Sequence, residues 1–108
     1  MRNELYIALG CPSDWRAEVK LSVKGEVAVI ADALYTKAGA YHIVEIDNMQ
    51  SMSDNRAKIN KYRRLFEIVS FEKEPQFYWL TTTEYRRNQL ARLCEGLNAR
   101  VYTVADLK

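Results

Sequence analysis

Three carboxylates stand on predicted strands close together in the chain. Asp32 interrupts the apolar run Val27-Ala28-Val29-Ile30-Ala31-Asp32-Ala33-Leu34-Tyr35, and Glu45 and Asp47 lie two residues apart in Tyr41-His42-Ile43-Val44-Glu45-Ile46-Asp47. Strand residues two apart share a face, so Glu45 and Asp47 are expected to point the same way as Tyr41 and Ile43, with His42, Val44 and Ile46 opposite. A buried carboxylate is costly unless it is paired or bound to a metal. Three on one small sheet therefore point to a metal site or to the remains of one. Lys58 follows in a basic helix. At about 100° per residue it falls inside that helix's apolar sector, beside Leu65 and Val69, whereas Lys61 and Arg64 point away. A lysine there must either snorkel out to solvent or meet a carboxylate. It would then be an electrophilic helper in a site or a partner of Asp47 or Glu45 in an ion pair without catalysis.

The elements that must position these residues read as follows. Leu5–Leu9 is an apolar run compatible with strand or helix. Ser13-Asp14 marks a cap or turn before Trp15-Arg16-Ala17-Glu18, and Val19, Leu21 and Val23 alternate with polar residues as a half-buried strand. Val27–Tyr35 reads as a buried strand, Lys37-Ala38-Gly39-Ala40 as a hairpin turn and Tyr41–Asp47 as the returning strand. Ser53-Asp54 is expected to cap a helix from about Asn55 to Val69, with Ile59, Tyr62, Leu65, Phe66 and Val69 on its apolar stripe. Phe77–Thr81 is a strand, and a second helix runs from Thr83-Glu84 to about Glu95, with Gly96 as its left-handed terminator. Arg100–Val104 is the last strand and Ala105–Lys108 a short tail. The β-α-β portion makes its strands parallel through right-handed crossovers. The expected class is α/β (α+β): a mixed β-sheet flanked by two main helices.

Composition bounds the rest. The 108 residues make one domain, and 48% hydrophobic with 11% aromatic residues exclude disorder as the main state. A net charge of only +2 moves any argument for nucleic acid to how the charge is distributed. Arg56, Lys58, Lys61, Arg63 and Arg64 cluster on the first helix, and Arg86 and Arg87, with Arg92 and Arg100, could extend them into a basic face; an ordinary solvated helix face is the alternative. Cys11 and Cys94 have no cysteine or histidine neighbours, which fits free thiols in a reducing, cytoplasmic compartment and argues against a structural zinc site. The N-terminal stretch is too short and too polar for a signal peptide or membrane anchor. His42, Phe77, Tyr78 and Trp79 read as core of the sheet, and Trp15 as a cover for its edge.

The element order, with Asp32 and Glu45-Ile46-Asp47, resembles the restriction-endonuclease-like fold of the PD-(D/E)xK type. More narrowly, Ala31-Asp32-Ala33, Glu45-Ile46-Asp47 and Lys58-Ile59-Asn60-Lys61-Tyr62 resemble the replication-relaxation family of plasmids and mobile elements, over roughly residues 15 to 104. In that family an Asp strand and a Glu-x-Asp strand precede a helix carrying Lys and then Tyr. The resemblance implies a DNA-processing domain, with Mg²⁺ held by Asp32, Glu45 and Asp47, and with Lys58 and Glu18 as further catalytic groups. It implies DNA contacts through Arg56, Lys61, Arg63, Arg64, Arg86 and Arg87, and a second copy or a replication protein as partner. A winged-helix segment precedes the domain in many family members and is absent from these residues.

The chain departs from the nuclease pattern at Asp47, where nucleases of this type carry a lysine. A carboxylate cannot donate to developing negative charge, so Asp47 would be an added metal ligand, or Lys58 would supply the missing cation. The alternative function is a catalytically inactive protein- or DNA-interaction module of a replication or transfer complex, with its carboxylates paired to Lys58 and Arg56.

Overall fold

The computed structural model describes residues 1–107. A short helix α1 (Arg2–Ala8) precedes strands β1 (Arg16–Val23), β2 (Val27–Lys37) and β3 (Ala40–Ile46). Helix α2 (Met52–Ile68), strand β4 (Gln76–Thr81), helix α3 (Glu84–Leu93) and strand β5 (Ala99–Thr103) follow, and Val104–Leu107 closes the described chain as a 3-10 turn. The five strands lie in sequence order in one mixed sheet. β1, β2 and β3 are antiparallel neighbours, and β4 and β5 continue parallel to β3. The fold is thus of the α+β class, with three α-helices among the described residues. Among the described residues no helix is long and apolar enough to cross a membrane.

Each face of the sheet carries its own core. On one, α2 and α3 cover Leu34, Ile43, Phe77 and Trp79, with Ile59, Tyr62, Leu65, Leu90 and Cys94 facing them from the helices. On the other, α1 and the final turn cover Ala33, Tyr35, Val44 and Leu80 through Leu5, Leu9, Val104 and Leu107. The run Leu5–Leu9, ambiguous between strand and helix in the sequence, is helical up to Ala8. Trp15 lies over Tyr35, and a row of rings continues from it across the sheet: Tyr35 against His42 at 4.6 Å between centroids, His42 against Tyr78 at 5.7 Å and Tyr78 against Tyr102 at 6.5 Å, all stacked with nearly parallel planes. His42 is held in this stack, with Nδ1 3.2 Å from the Tyr78 hydroxyl. Tyr78 therefore belongs to the opposite face from Phe77 and Trp79.

Several boundaries differ from the sequence expectation, each for a local reason. The cap of α2 is Ser51, not Ser53-Asp54: the Ser51 hydroxyl accepts the Asp54 amide, and Met52 starts the helix packed against the core. Val69 is extended (φ −101°, ψ 124°), so α2 stops at Ile68. Thr83 caps α3 by accepting the Arg86 amide, and that helix stops at Leu93 rather than Glu95. Arg16 to Glu18 are strand from the outset, because β1 pairs with β2 as far back as Arg16↔Leu34. Val104 leaves the sheet because the Asp106 carboxylate takes the Thr103 amide at 2.8 Å and bends the chain into the closing turn.

The turn between β2 and β3 is a two-residue loop in which Ala38 (φ 53°) and Gly39 (φ 82°) are both left-handed. This is the geometry that favours Asn-Gly and penalises alanine at its first position by about 1 kcal/mol. Ala38→Asn is expected to raise the unfolding free energy by up to about 1 kcal/mol in urea titration, with the slope against urea unchanged.

Candidate functional site

Asp32 marks a break in the sheet. Val29 and Ala31 face the α2 side, Ala33 and Tyr35 the opposite side, and Leu34 the α2 side again, so the alternation of β2 changes phase around Asp32. β1 is distorted at the matching point: Ala17↔Ala33 and Val19↔Ala31 put Glu18 opposite Asp32, and Glu18 adopts φ 54°. The β2–β3 ladder runs only from Lys37↔Ala40 to Ala33↔Val44, whereas β3 and β4 remain paired through Ile46↔Leu80. The two strands part just where Asp32 and Glu45 would have faced each other. An unpaired amide inside a sheet is costly. The Asp32 side chain replaces the missing strand, with its Oδ2 accepting the Ile46 amide at 2.7 Å.

Glu45 points into this gap from the α2 side and is only 1% exposed. Two groups from α2 reach it. Tyr62, itself fully buried, donates its hydroxyl to Oε2, and the Lys58 ammonium lies against Oε1. The same ammonium is 4.0 Å from Asp32 Oδ1. Lys58 and Tyr62 are four residues apart, one helical turn, which brings both onto the face of α2 that meets β3. Burial pushes the Glu45 carboxyl up to about 7; Lys58 pulls it down, the nearby Asp32 charge raises it, and the Tyr62 hydrogen bond lowers it. The Tyr62 hydroxyl is itself raised, by burial and by the Glu45 charge.

Asp47 is fully buried but engaged elsewhere. Its Oδ1 accepts from Asn55 Nδ2 (3.1 Å) and Arg86 Nη2 (2.8 Å), and its Oδ2 from Thr81 Oγ1 (2.6 Å) and Arg86 Nε (2.7 Å). Burial would raise the pKa of this carboxyl, but the hydrogen bonds from Arg86, Thr81 and Asn55 outweigh it and hold it below the ordinary carboxylate value. Four donors use the accepting capacity of both oxygens. The expected group divides: Glu45 and Asp47 share a face, but Asp32, Glu45 and Lys58 come together while Asp47, just past the end of β3, pairs with Arg86. Arg86 also donates to the Gln50 carbonyl, so it ties the loop after β3 to α3. Its pairing with Asp47 was not anticipated from the sequence; a buried acid at a strand end and an arginine in the first turn of a later helix was the available signal.

The other expected residues separate clearly. Glu18 is exposed on β1 and makes no hydrogen bond or ion pair among the described residues. Arg63 donates to the Leu93 and Glu95 carbonyls at the end of α3, Arg64 pairs with Glu26 and Glu67, and Arg87 with Glu84. Arg56 and Lys61 are exposed and unpaired among the described residues. No three His, Cys, Asp or Glu side chains gather as a metal-binding group among the described residues. The hard-oxygen donors that converge are two, Asp32 and Glu45.

Two outcomes follow. Arg86→Met leaves Asp47 buried without its counter-ion and should lower stability by about 3 kcal/mol in chemical denaturation. The folded-state pKa of Glu45 lies above its unfolded value, so its contribution is fully present below pH 4.5 and is lost as pH rises toward about 7. Across that window the wild type should lose stability relative to Glu45→Gln, measured as the difference between denaturation midpoints at each pH.

No protein-family model, curated protein or solved structure matches the chain.

Proposed function

We propose that this chain is a restriction-endonuclease-like DNA-processing domain, related to the replication-relaxation proteins of plasmids and mobile elements, with Asp32, Glu45 and Lys58 as its working centre. The observation that carries this reading is the convergence of the three side chains from β2, β3 and α2 where two neighbouring strands part. It also answers the departure at Asp47: the cation that nucleases of this type carry on the strand comes here from the helix.

The donor chemistry suits Mg²⁺, which favours oxygen ligands and commonly takes one or two carboxylates with waters and substrate phosphates. Asp32 and Glu45 would hold it, and Asp47 would not, being saturated by Arg86, Thr81 and Asn55. When bound, the ion would polarise a phosphodiester and supply a water of lowered pKa. The residues of the chain do the positioning. The Ile46 amide fixes Asp32 and the Tyr62 hydroxyl fixes Glu45. Lys58 offers an ammonium to charge developing on phosphate oxygens.

One observation favours a second reading. The Lys58 ammonium already lies against Glu45 and 4.0 Å from Asp32, so the buried charge of the cluster can be neutralised without a metal. On that reading the chain is a catalytically inactive module that binds DNA or a protein of a replication or transfer complex.

A Mg²⁺ or Mn²⁺ titration followed by amide shifts separates the two. Metal-dependent cleavage requires shifts centred on Asp32, Glu45 and Lys58 at millimolar ion, and cleavage of plasmid DNA that is abolished by Asp32→Asn, which removes the charge but keeps an oxygen to accept the Ile46 amide. The inactive module requires no shift at millimolar ion and a loss of about 3 kcal/mol in Lys58→Met, which strips the buried Glu45 of its counter-ion.

A further inference from the structure

The two edges of the sheet are finished differently. β5 is five residues long, and the Asp106 carboxylate takes the Thr103 amide at its end, so the chain closes part of that edge itself. β1 runs for eight residues and pairs with β2, with no strand on its outer side among the described residues. An unpaired strand edge is a template for another strand. Glu18 is left-handed, and beyond it Val19–Val23 stay in unbroken register with β2.

Val19, Leu21 and Val23 face the α2 side and remain half-exposed there. Beside Val19 and Leu21 an apolar groove of about 410 Å³ opens between β1 and the end of α2, lined by Leu65, Phe66, Val69 and Phe71. Lys20 and Ser22 pair with Ile30 and Ala28, so their side chains lie on the opposite face and they border the groove through the main chain. A free main-chain edge and an apolar groove thus lie side by side. Strand addition uses both, the first for hydrogen bonds and the second for alternate side chains.

We propose that the occupant is β1 of a second copy of this chain, paired antiparallel about a two-fold axis at Leu21. The strand is complementary to itself in that register. Leu21 meets the partner's Leu21, Val19 the partner's Val23, and Lys20 the partner's Ser22, so the apolar row on the α2 side continues from one copy into the next. Glu18 stands opposite the partner's Lys24; both residues are exposed and make no ion pair among the described residues. An axis one residue earlier would set Lys20 against itself, and like charges directly opposite are destabilising. The axis stands perpendicular to the sheet, so the five strands of each copy form one sheet with both α2 helices on the same side. One strand pair is a small interface, which fits a reversible dimer rather than a permanent one. The inference concerns assembly and does not rest on the DNA-processing reading.

Sedimentation equilibrium of the full chain from about 5 to about 500 µM tests it. The weight-average mass should rise with concentration from 12.6 kDa toward twice that value. Glu18→Lys and Lys24→Glu each set like charges against each other at both ends of the strand pair and should each weaken the dimer about tenfold; the double variant restores opposite charges and should return to within about twofold of the wild type. The two reversals move the net charge in opposite directions, so a general charge effect cannot weaken both. Both lie on exposed side chains, and circular dichroism checks each fold. A mass of 12.6 kDa at every concentration would overturn the proposal and leave the edge to an extended segment of a different protein. A dimer that either single reversal leaves unchanged, or that the double variant fails to restore, would also overturn it, because the contact would then lie elsewhere.

Discussion

The structure turns on the cost of keeping the Glu45 carboxylate out of water. A buried charge is tolerated only when partners supply what water would have supplied. Here one turn of α2 supplies both partners, Tyr62 to one oxygen and Lys58 to the other. That requirement sets how α2 lies on the sheet: the same turn that delivers Tyr62 to Glu45 places its ring edge-on to Phe77, 4.9 Å between centroids, inside the core. The opening of β2 from β3 belongs to the same arrangement, since it makes the space into which Lys58 reaches. Asp32 closes the backbone side of that opening by taking the Ile46 amide.

A second buried acid, Asp47, is treated differently, and the contrast is instructive. Arg86 meets it with a planar fork in a bidentate pair, a geometry that lysine cannot match. The result is a fixed strut between the end of β3 and the start of α3, reinforced by Thr81 and Asn55. Glu45 receives one ammonium and one phenol and keeps an elevated pKa, whereas Asp47 is held ionised. Two carboxylates two residues apart, one on β3 and one just past its end, thus divide into a group that can change its protonation state near neutrality and a group that cannot.

Much of this was legible in the sequence because it depends on period. The face of β3 carrying Glu45, the five strands, the two larger helices and the inward position of Lys58 all follow from alternation at two or repetition at 3.6. The phase change at Asp32 does not: a break in alternation is visible only against a known partner strand, and the signals at Glu18 and Asp32 are separated in the sequence by an entire hairpin. The Asp47–Arg86 pair is hidden for the same reason, since no local pattern tells an arginine in the first turn of α3 which acid it will meet. Cap positions shifted by two residues at α2 because Ser51 and Ser53 offer the same chemistry, and packing of Met52 decided between them. Charge clustering along α2 is the least informative of these signals, because a run of cations does not reveal which of them find carbonyls or carboxylates after folding.

The row of rings from Trp15 to Tyr102 has a consequence for how the strands find one another. Side chains alternate along a strand, so a slip of one residue exchanges its two faces. A slipped β3 would push His42 toward the packed helix side and pull Ile43 out among the rings; a slipped β4 would exchange Tyr78 with Trp79. Each error would therefore be felt on both sides of the sheet at once, as overcrowding beneath α2 and as a missing tooth in the stack. The aromatic row is a ruler laid across the strands, and it checks their alignment independently of the charges that line the other side.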